Sequence, residues 1–356
     1  MRAFTLAGLE TNAKPVDIVC TQEVFMSFKS LAVKNAVLRI VGVVTVAAAA
    51  LVVAVSVSRE PVIHAQSAQR AAAPNVRLPG EAVGINGIVG ALISAYDQFD
   101  IVALGEYHDR RIDSDLRIAL VRHPDFAKKV RTIVVEWGST LEQTTLDRYI
   151  RGENVSKAQF EQVWKKLSPG NIGELVSENS IYTDFFAAVR EVNSKRPAAE
   201  RIRVFGGDPG PGGNRGTAAV SILEEQALKK GGKALIVYGT GHFYRDFPKD
   251  QPPGNRRTIV TVLEMDYPGR NLAVIPMGGP GDDAADYQKF DRALKTQVRP
   301  VMVPLQRLPF RDFTAEEFLG GQVLKCRPVI GCVSIFKGSD LTLGQMGNAL
   351  IYYGRP

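Results

Sequence analysis

The stretch Asp100-Ile101-Val102-Ala103-Leu104-Gly105-Glu106-Tyr107-His108-Asp109 decides how the rest of the chain is read. A short apolar run, opened by Asp100 and broken by Gly105, fits a strand buried on both faces of a parallel sheet. Its end presents a carboxylate and an imidazole two residues apart, and alternate residues of an extended segment share a face. The pattern recurs. Ile133-Val134-Val135 delivers Glu136, Ile202-Arg203-Val204-Phe205 leads to Asp208, and Leu235-Ile236-Val237-Tyr238 leads to Gly239-Thr240-Gly241-His242. Each run finishes in an ionisable residue, at the end of the strand where open α/β sheets hold their ligands.

Helical patterns separate these runs. Ile85 to Phe99 carries apolar residues at helical spacing, and Ser114 to Arg122 is expected to be a helix capped by Asp113 or Ser114 and closed by Pro124. Ser139-Thr140-Leu141-Glu142 and Ser156-Lys157-Ala158-Gln159 are capping-box patterns that open helices to about Arg151 and Leu167. Ile181 to Asn193 and Thr217 to Lys230 complete the set, the latter closed by Gly231-Gly232. Strand and helix in alternation predict an α/β fold with a mostly parallel central sheet flanked by helices and the site at the carboxyl ends of the strands. Beyond His242, Thr258 to Leu263, Asn271 to Ile275 and Ala349 to Tyr353 read as further strands, the last at an edge. Residues 277 to 312 lack a strong period and read as an excursion over the active face.

The amino-terminal part is different in kind. Lys29, Lys34 and Arg39 precede a continuous apolar run from Ile40 to Val57, and an Ala/Gln/Pro-rich stretch follows from Gln66. Basic flank followed by apolar run is the order of a signal peptide or a membrane anchor. The expected organisation is a leader over 1–65, a linker over 66–81 and a single α/β domain over 82–356. The folded part is then exported: periplasmic, secreted, or anchored with its bulk facing outside and touching the membrane through the amino-terminal segment if that is uncleaved. The chain has 356 residues, 45% of them hydrophobic, enough for a sizeable core, and its formal charge of +7 is spread rather than clustered. No Lys/Arg block interleaved with aromatics follows residue 70, so no nucleic-acid partner is expected. Of three cysteines, none forms a Cys-x-x-Cys pair, and Cys326 and Cys332 are placed for a local disulfide in an oxidising compartment.

Glu106, His108, Glu136, Asp208 and His242 suit two kinds of chemistry. One is a divalent metal, Mn or Zn, held by Glu106, His108, His242 and Asp208. The other is metal-free hydrolysis in which a histidine acts as base and a carboxylate orients or charges it. Glu106, His108, Glu136 and His242 are the catalytic candidates in either case, with Asp208 in support. The absence of Gly-x-Ser-x-Gly and His-Glu-x-x-His motifs removes serine-hydrolase and zincin readings. His123, at a helix end beside Pro124, reads as a dipole partner. Gly210 to Thr217, which lacks a P-loop ending, reads as a flexible loop.

Gly105-Glu106-Tyr107-His108, Glu136 after the second strand and Gly239-Thr240-Gly241-His242 after a later one resemble the motifs of the Tiki/ChaN/erythromycin-esterase-like superfamily. The resemblance covers roughly Phe99 to Phe243. It implies a parallel-rich α/β fold with the site at the carboxyl strand ends. It also implies one of three activities: metal-dependent proteolysis, lactone hydrolysis with a histidine base, or haem binding. The chain lacks the lipid-anchor cysteine expected of ChaN-type haem-uptake lipoproteins. The leading expectation is an exported hydrolase acting on an ester, lactone or peptide bond of a small-molecule or peptide substrate. The alternative is a non-catalytic haem- or metal-binding protein of the ChaN type, with Tyr107, His108 or His242 as axial haem ligand.

Overall fold

A computed structural model describes residues 80–168, 180–249, 257–278, 287–319 and 338–355, together with 78, 176, 325–327, 331–333 and 336. The leader and most of the linker lie outside the described residues. Among the described residues no helix is long and apolar enough to cross a membrane.

The central sheet has eight strands: β1 (Ala82–Val83), β2 (Ile101–Glu106), β3 (Thr132–Ser139), β4 (Arg203–Asp208), β5 (Ala234–Gly239), β6 (Asn271–Met277), β7 (Val301–Pro304) and β10 (Ala349–Tyr352), in the spatial order β1-β7-β10-β6-β2-β5-β3-β4. From β10 to β4 every neighbour is parallel, while β7 runs antiparallel to both β10 and β1. The sheet is mostly parallel, as the strand–helix alternation predicts. Alternate residues of each strand enter opposite apolar layers. Val102, Leu104, Ile133, Val135, Leu235 and Val237 pack on one face against helices α1 (Gly84–Ala95), α2 (Arg111–Arg122), α4 (Gln143–Arg151), α5 (Lys157–Lys165) and α6 (Ser180–Ser194). Ile101, Ala103, Val134 and Ile236 pack on the other against α7 (Arg215–Gln226) and α8 (Ile259–Asp266). A third cluster sits around β6, β7 and β10 with α9 (Tyr287–Ala293), α10 (Ala315–Leu319) and α11 (Leu343–Met346). A short helix, α3 (Phe126–Lys129), links α2 to β3.

Several sequence expectations need correction. Thr258 to Leu263 is not a strand. Thr258 and Thr261 form a reciprocal capping box that starts α8, and Ile259, Val260 and Leu263 are buried at helical spacing. Local capping outweighs the β-branched run. The 277–312 stretch is no mere excursion, since it contributes α9 and the sheet strand β7. That strand covers β10, which is therefore internal rather than an edge. Helix α2 starts at Arg111, ahead of the expected Asp113 or Ser114 cap, so that Asp113 lies in its first turn. Ser139 accepts a bond from Leu141 N–H and opens a 3-10 turn rather than a capping box, whereas Ser156 and Gln159 form the full box. His123 does not simply face the end of α2: its Nδ1 accepts the Asp125 N–H at 3.2 Å.

A separate hairpin pairs β8 (Lys325–Arg327) with β9 (Gly331–Val333), and its register sets Cys326 directly opposite Cys332. Directly opposed antiparallel residues have Cα atoms about 4.5–5.5 Å apart, inside the span of roughly 4.4–6.8 Å that a disulfide bridges. Thiol labelling of denatured, unreduced protein recovered from an oxidising compartment is expected to find both cysteines blocked. Two reactive thiols at these positions would refute the pairing.

Candidate active site

Three adjacent parallel strands, β2, β5 and β3, bring the motif residues together at their carboxyl ends. Glu106 is the last residue of β2, and by strand parity it faces the same layer as Val102 and Leu104. There it meets α2. Arg117 Nη1 donates to Glu106 Oε2, and both side chains are about 1% exposed. The guanidinium lies 4.6 Å from the Trp137 ring and 5.2 Å from that of Tyr182, and its Nη2 donates to the Ile181 carbonyl. The other Glu106 oxygen faces His108 Nδ1 at 3.1 Å. Glu106 and His108 do converge, as their alternation suggests, and Glu106 is braced from behind by a buried cation.

Glu136 lies within β3, where the ladder to β4 is irregular. Val135 pairs with Gly206 but Ser139 pairs with Asp208, so β3 carries two extra residues across this step. A bulge re-aims side chains, and here it spans Glu136, Trp137 and Gly138. Trp137 enters the core beside Arg117, and Glu136 reaches the site. Glu136 Oε2 accepts the Gly239 N–H at 2.7 Å and lies 3.9 Å from His108 Nε2. Its Oε1 lies 3.5 Å from His242 Nε2 and 3.4 Å from Arg215 Nη1. Two histidines, each with a side chain 35% exposed, thus share one carboxylate that is 2% exposed.

The Gly-Thr-Gly-His segment has a distinct task at each of its first two positions. Gly239 supplies the N–H to Glu136, and a Cβ there would lie 3.1 Å from His108 Nε2 and 3.4 Å from Glu136 Oε2. Thr240 Oγ1 donates to the Glu106 carbonyl at 3.0 Å, tying the turn after β5 to the end of β2. Gly105 serves the same junction, since a Cβ there would meet Pro276 Cδ at 2.9 Å and Thr240 Oγ1 at 3.1 Å.

Asp208, at the end of β4, stands one step back. Its Oδ1 accepts from Ser168 N, Ser168 Oγ and Gly210 N, and its Oδ2 accepts from Arg215 Nε at 2.6 Å. Arg215 bridges Asp208 and Glu136, so the Gly/Pro-rich loop before α7 is anchored at both ends rather than merely flexible. The ring of Tyr107, considered as a haem ligand, lies under the Arg110 guanidinium at 4.4 Å. Arg110 is held in turn by Asp113 and the Gly278 carbonyl. Asp109 is the non-glycine residue with positive φ (66°) among the described residues, and its N–H donates to Tyr182 Oη. Chain reversal after His108 is thereby fixed from α6.

The metal set Glu106, His108, His242 and Asp208 does not gather around one point. Both Glu106 oxygens and both Asp208 oxygens are occupied by cations or hydrogen-bond donors. Among the described residues no group of three or more His, Cys, Asp or Glu is arranged to hold a metal ion. These donors do not fit the expected metal.

Two arginines were not foreseen. Arg117 left a readable signal: buried positions of α2 include Asp113, Leu116, Arg117, Leu120 and Val121, so an arginine stands in the apolar stripe. Arg215 left none, because only the folded loop carries it to Glu136.

The electrostatics follow. Burial pushes the Glu136 carboxyl up, but the hydrogen bond and charge of His242, the charge of His108 and the Gly239 N–H outweigh it, bringing it from 4.5 down to about 2. Burial pushes His108 down, and its bond to Glu106 with the charges of Glu106 and Glu136 outweighs that, so it titrates above 6.5. A lowered carboxylate contributes stability above its unfolded value near 4.5 that is lost as pH falls toward about 2. A raised histidine contributes stability below 6.5 that is lost as pH rises through its folded value. Melting temperature followed against pH should therefore lose part of its alkaline decline in His108→Ala and part of its acid decline in Glu136→Gln. Unchanged limbs in both variants would contradict these assignments.

The fold and site together define an α/β protein with a Glu/His cluster at the carboxyl ends of adjacent parallel strands. No family model matches the sequence. No curated protein matches it either. Among solved structures, the chain is similar to a Bacillus cereus protein at 12% identity and a TM-score of 0.50, over 76% of this chain and 92% of that one. It is also similar, more loosely, to a mutant of the erythromycin esterase EreC in its open conformation, at 9% identity and a TM-score of 0.44, over 76% and 93%. A third similar structure is ChaN of Campylobacter jejuni with cofacial haem, at 12% identity and a TM-score of 0.32, over 56% and 88%. The likeness to the Bacillus cereus protein agrees with the α/β fold expected from the strand–helix alternation.

Proposed function

We propose that this chain is an exported hydrolase in which His108 is the general base for water attack on an ester, lactone or peptide carbonyl. The observation that supports this most directly is the buried, ionised Glu136 shared by two part-exposed histidines, one of them braced by Glu106. With Nδ1 bonded to Glu106, the His108 ring keeps Nε2 for the proton of an incoming water. The hydroxide oxygen bonds to the carbonyl carbon as that proton moves to Nε2. Charge developing on the carbonyl oxygen is met by Arg215 and His242, which lie on the opposite oxygen of Glu136 from His108. Collapse breaks the bond to the leaving oxygen or nitrogen, and the proton held by a histidine passes to it. Glu136 stays ionised throughout and keeps both rings charged or oriented as each step needs.

The test is turnover of a panel of lactones, esters and short peptides by the purified protein, run with EDTA and with added Mn²⁺ or Zn²⁺. Hydrolysis of at least one class in EDTA is the expected result. Turnover only with added metal would refute the histidine-base mechanism. No turnover, together with a Soret shift on adding haemin, would replace the hydrolase by the haem-binding alternative.

A further inference from the structure

At the amino ends of β3 and β4, opposite the Glu/His cluster, lies a cavity of about 380 Å³. Its inner wall is apolar, formed by the buried side chains of Ile150, Ile202 and Phe205. Its rim is cationic: Arg131, Arg151, Arg201, Arg203 and Lys230 line it against a single carboxylate, Asp147. That carboxylate is already engaged with Arg203 at 3.4 Å, and Arg151 is paired with Glu153. The other three cations are held by neutral acceptors. Arg131 Nη1 donates to the Ala199 carbonyl at 3.0 Å. Arg201 donates to the carbonyls of Arg196 and Arg151 at 3.2 and 3.5 Å. Lys230 donates to Gln226 Oε1 at 3.0 Å.

Neutral acceptors orient a guanidinium or ammonium without cancelling its charge, and none of the three forms an ion pair among the described residues, so three positive charges line one concavity. An arrangement of that kind attracts a multivalent anion, and its size is that of a small-ligand pocket. We propose that this cavity binds a phosphate-bearing ligand, its phosphate oxygens on Arg131, Arg201 and Lys230 and its organic part against Ile150, Ile202 and Phe205. Arginine forks suit phosphate oxygens in particular. The site is separate from the hydrolytic one: Arg203 and Asp208 stand at opposite ends of β4, five residue steps or roughly 16 Å apart. Both sites nevertheless share strands β3 and β4.

The source of the phosphate is either a free small molecule or the headgroup of an anionic lipid, and the experiment separates them. Binding of inorganic pyrophosphate and ATP is measured by calorimetry. Co-sedimentation is measured with vesicles of phosphatidylglycerol in phosphatidylcholine and with phosphatidylcholine alone. The full chain is compared with Arg131→Gln/Lys230→Gln and with Lys128→Gln, which removes a nearby cation that is paired with Asp125 and does not line the cavity. Both rim residues are exposed, so the double variant should fold, and an unchanged far-UV spectrum and panel turnover check that it does. The expected result is saturable binding of pyrophosphate or ATP, or of phosphatidylglycerol vesicles, weakened about tenfold or more in the double variant and unchanged in Lys128→Gln. Vesicle binding without small-molecule binding assigns the phosphate to lipid, and the converse assigns it to a soluble ligand. The proposal is overturned if none of the probes binds, if the double variant binds like wild type, or if Lys128→Gln weakens binding equally.

Discussion

Glu136→Gln is expected to lower turnover by roughly 10²–10⁴-fold on any substrate the protein hydrolyses, the range that general acid–base contributions span. The exchange keeps the shape of the side chain and its capacity to accept the Gly239 N–H, and removes only the charge. That charge is what His108, His242 and Arg215 share within 3.9 Å. Without it, His242 loses the anion that faces its protonated form, and His108 keeps only Glu106. His108→Ala and His242→Ala should each cost a comparable factor. Groups that act as a unit lose their effects non-additively, so the double change His108→Ala/His242→Ala should cost little more than the worse single one. Wild-type turnover in Glu136→Gln would show that the cluster is not the hydrolytic site. A multiplicative loss in the double histidine variant would show that the two rings act independently.

The second large effect is on stability. Arg117→Met is expected to destabilise the fold by roughly 3–5 kcal/mol, because it leaves Glu106 charged, buried and without its cation. Adding Glu106→Gln removes that stranded charge, and the double variant Arg117→Met/Glu106→Gln should recover most of the loss. Turnover should not recover with it, since His108 Nδ1 then faces an amide rather than a carboxylate. Denaturant unfolding of the two variants, read beside panel turnover, separates the roles. A single variant as stable as wild type would mean that the buried pair of Glu106 and Arg117 carries no net stability. Recovery of activity along with stability would mean that Glu106 acts only as a structural partner. Lysine is a poor substitute for Arg117, because the flat guanidinium lies against the Trp137 and Tyr182 rings while it bonds the carboxylate.

The sequence by itself determined the class of fold and where on it to look. Short continuous apolar runs at Ile101–Leu104, Ile133–Val135 and Leu235–Tyr238, separated by capped helices, are enough to define a parallel sheet and to place Glu106, Glu136 and His242 at its carboxyl side. Those are local signals, set by unbroken apolar runs and by the hydrogen bonds of helix ends, and they survive without knowledge of neighbours. What tertiary structure decided is everything that depends on strand order. Only once β5 lies between β2 and β3 do His108 and His242 fall on the two oxygens of one carboxylate. The bulge in β3 that aims Glu136 is invisible in Val135-Glu136-Trp137-Gly138, because it is defined by the pairing with β4. Thr258 to Leu263 read as a strand and folded as a helix for the same kind of reason: its β-branched residues find their partners through burial on α7 and the sheet, and the capping box then sets the backbone. Asp208 shows the limit most plainly. From sequence it ranks with the other carboxylates, but the fold gives both its oxygens to Ser168, Gly210 and Arg215, so it steadies the cluster from behind. Residue type states which chemistry a side chain can do, and the partners that long-range packing brings to its polar atoms determine whether it is left able to do it.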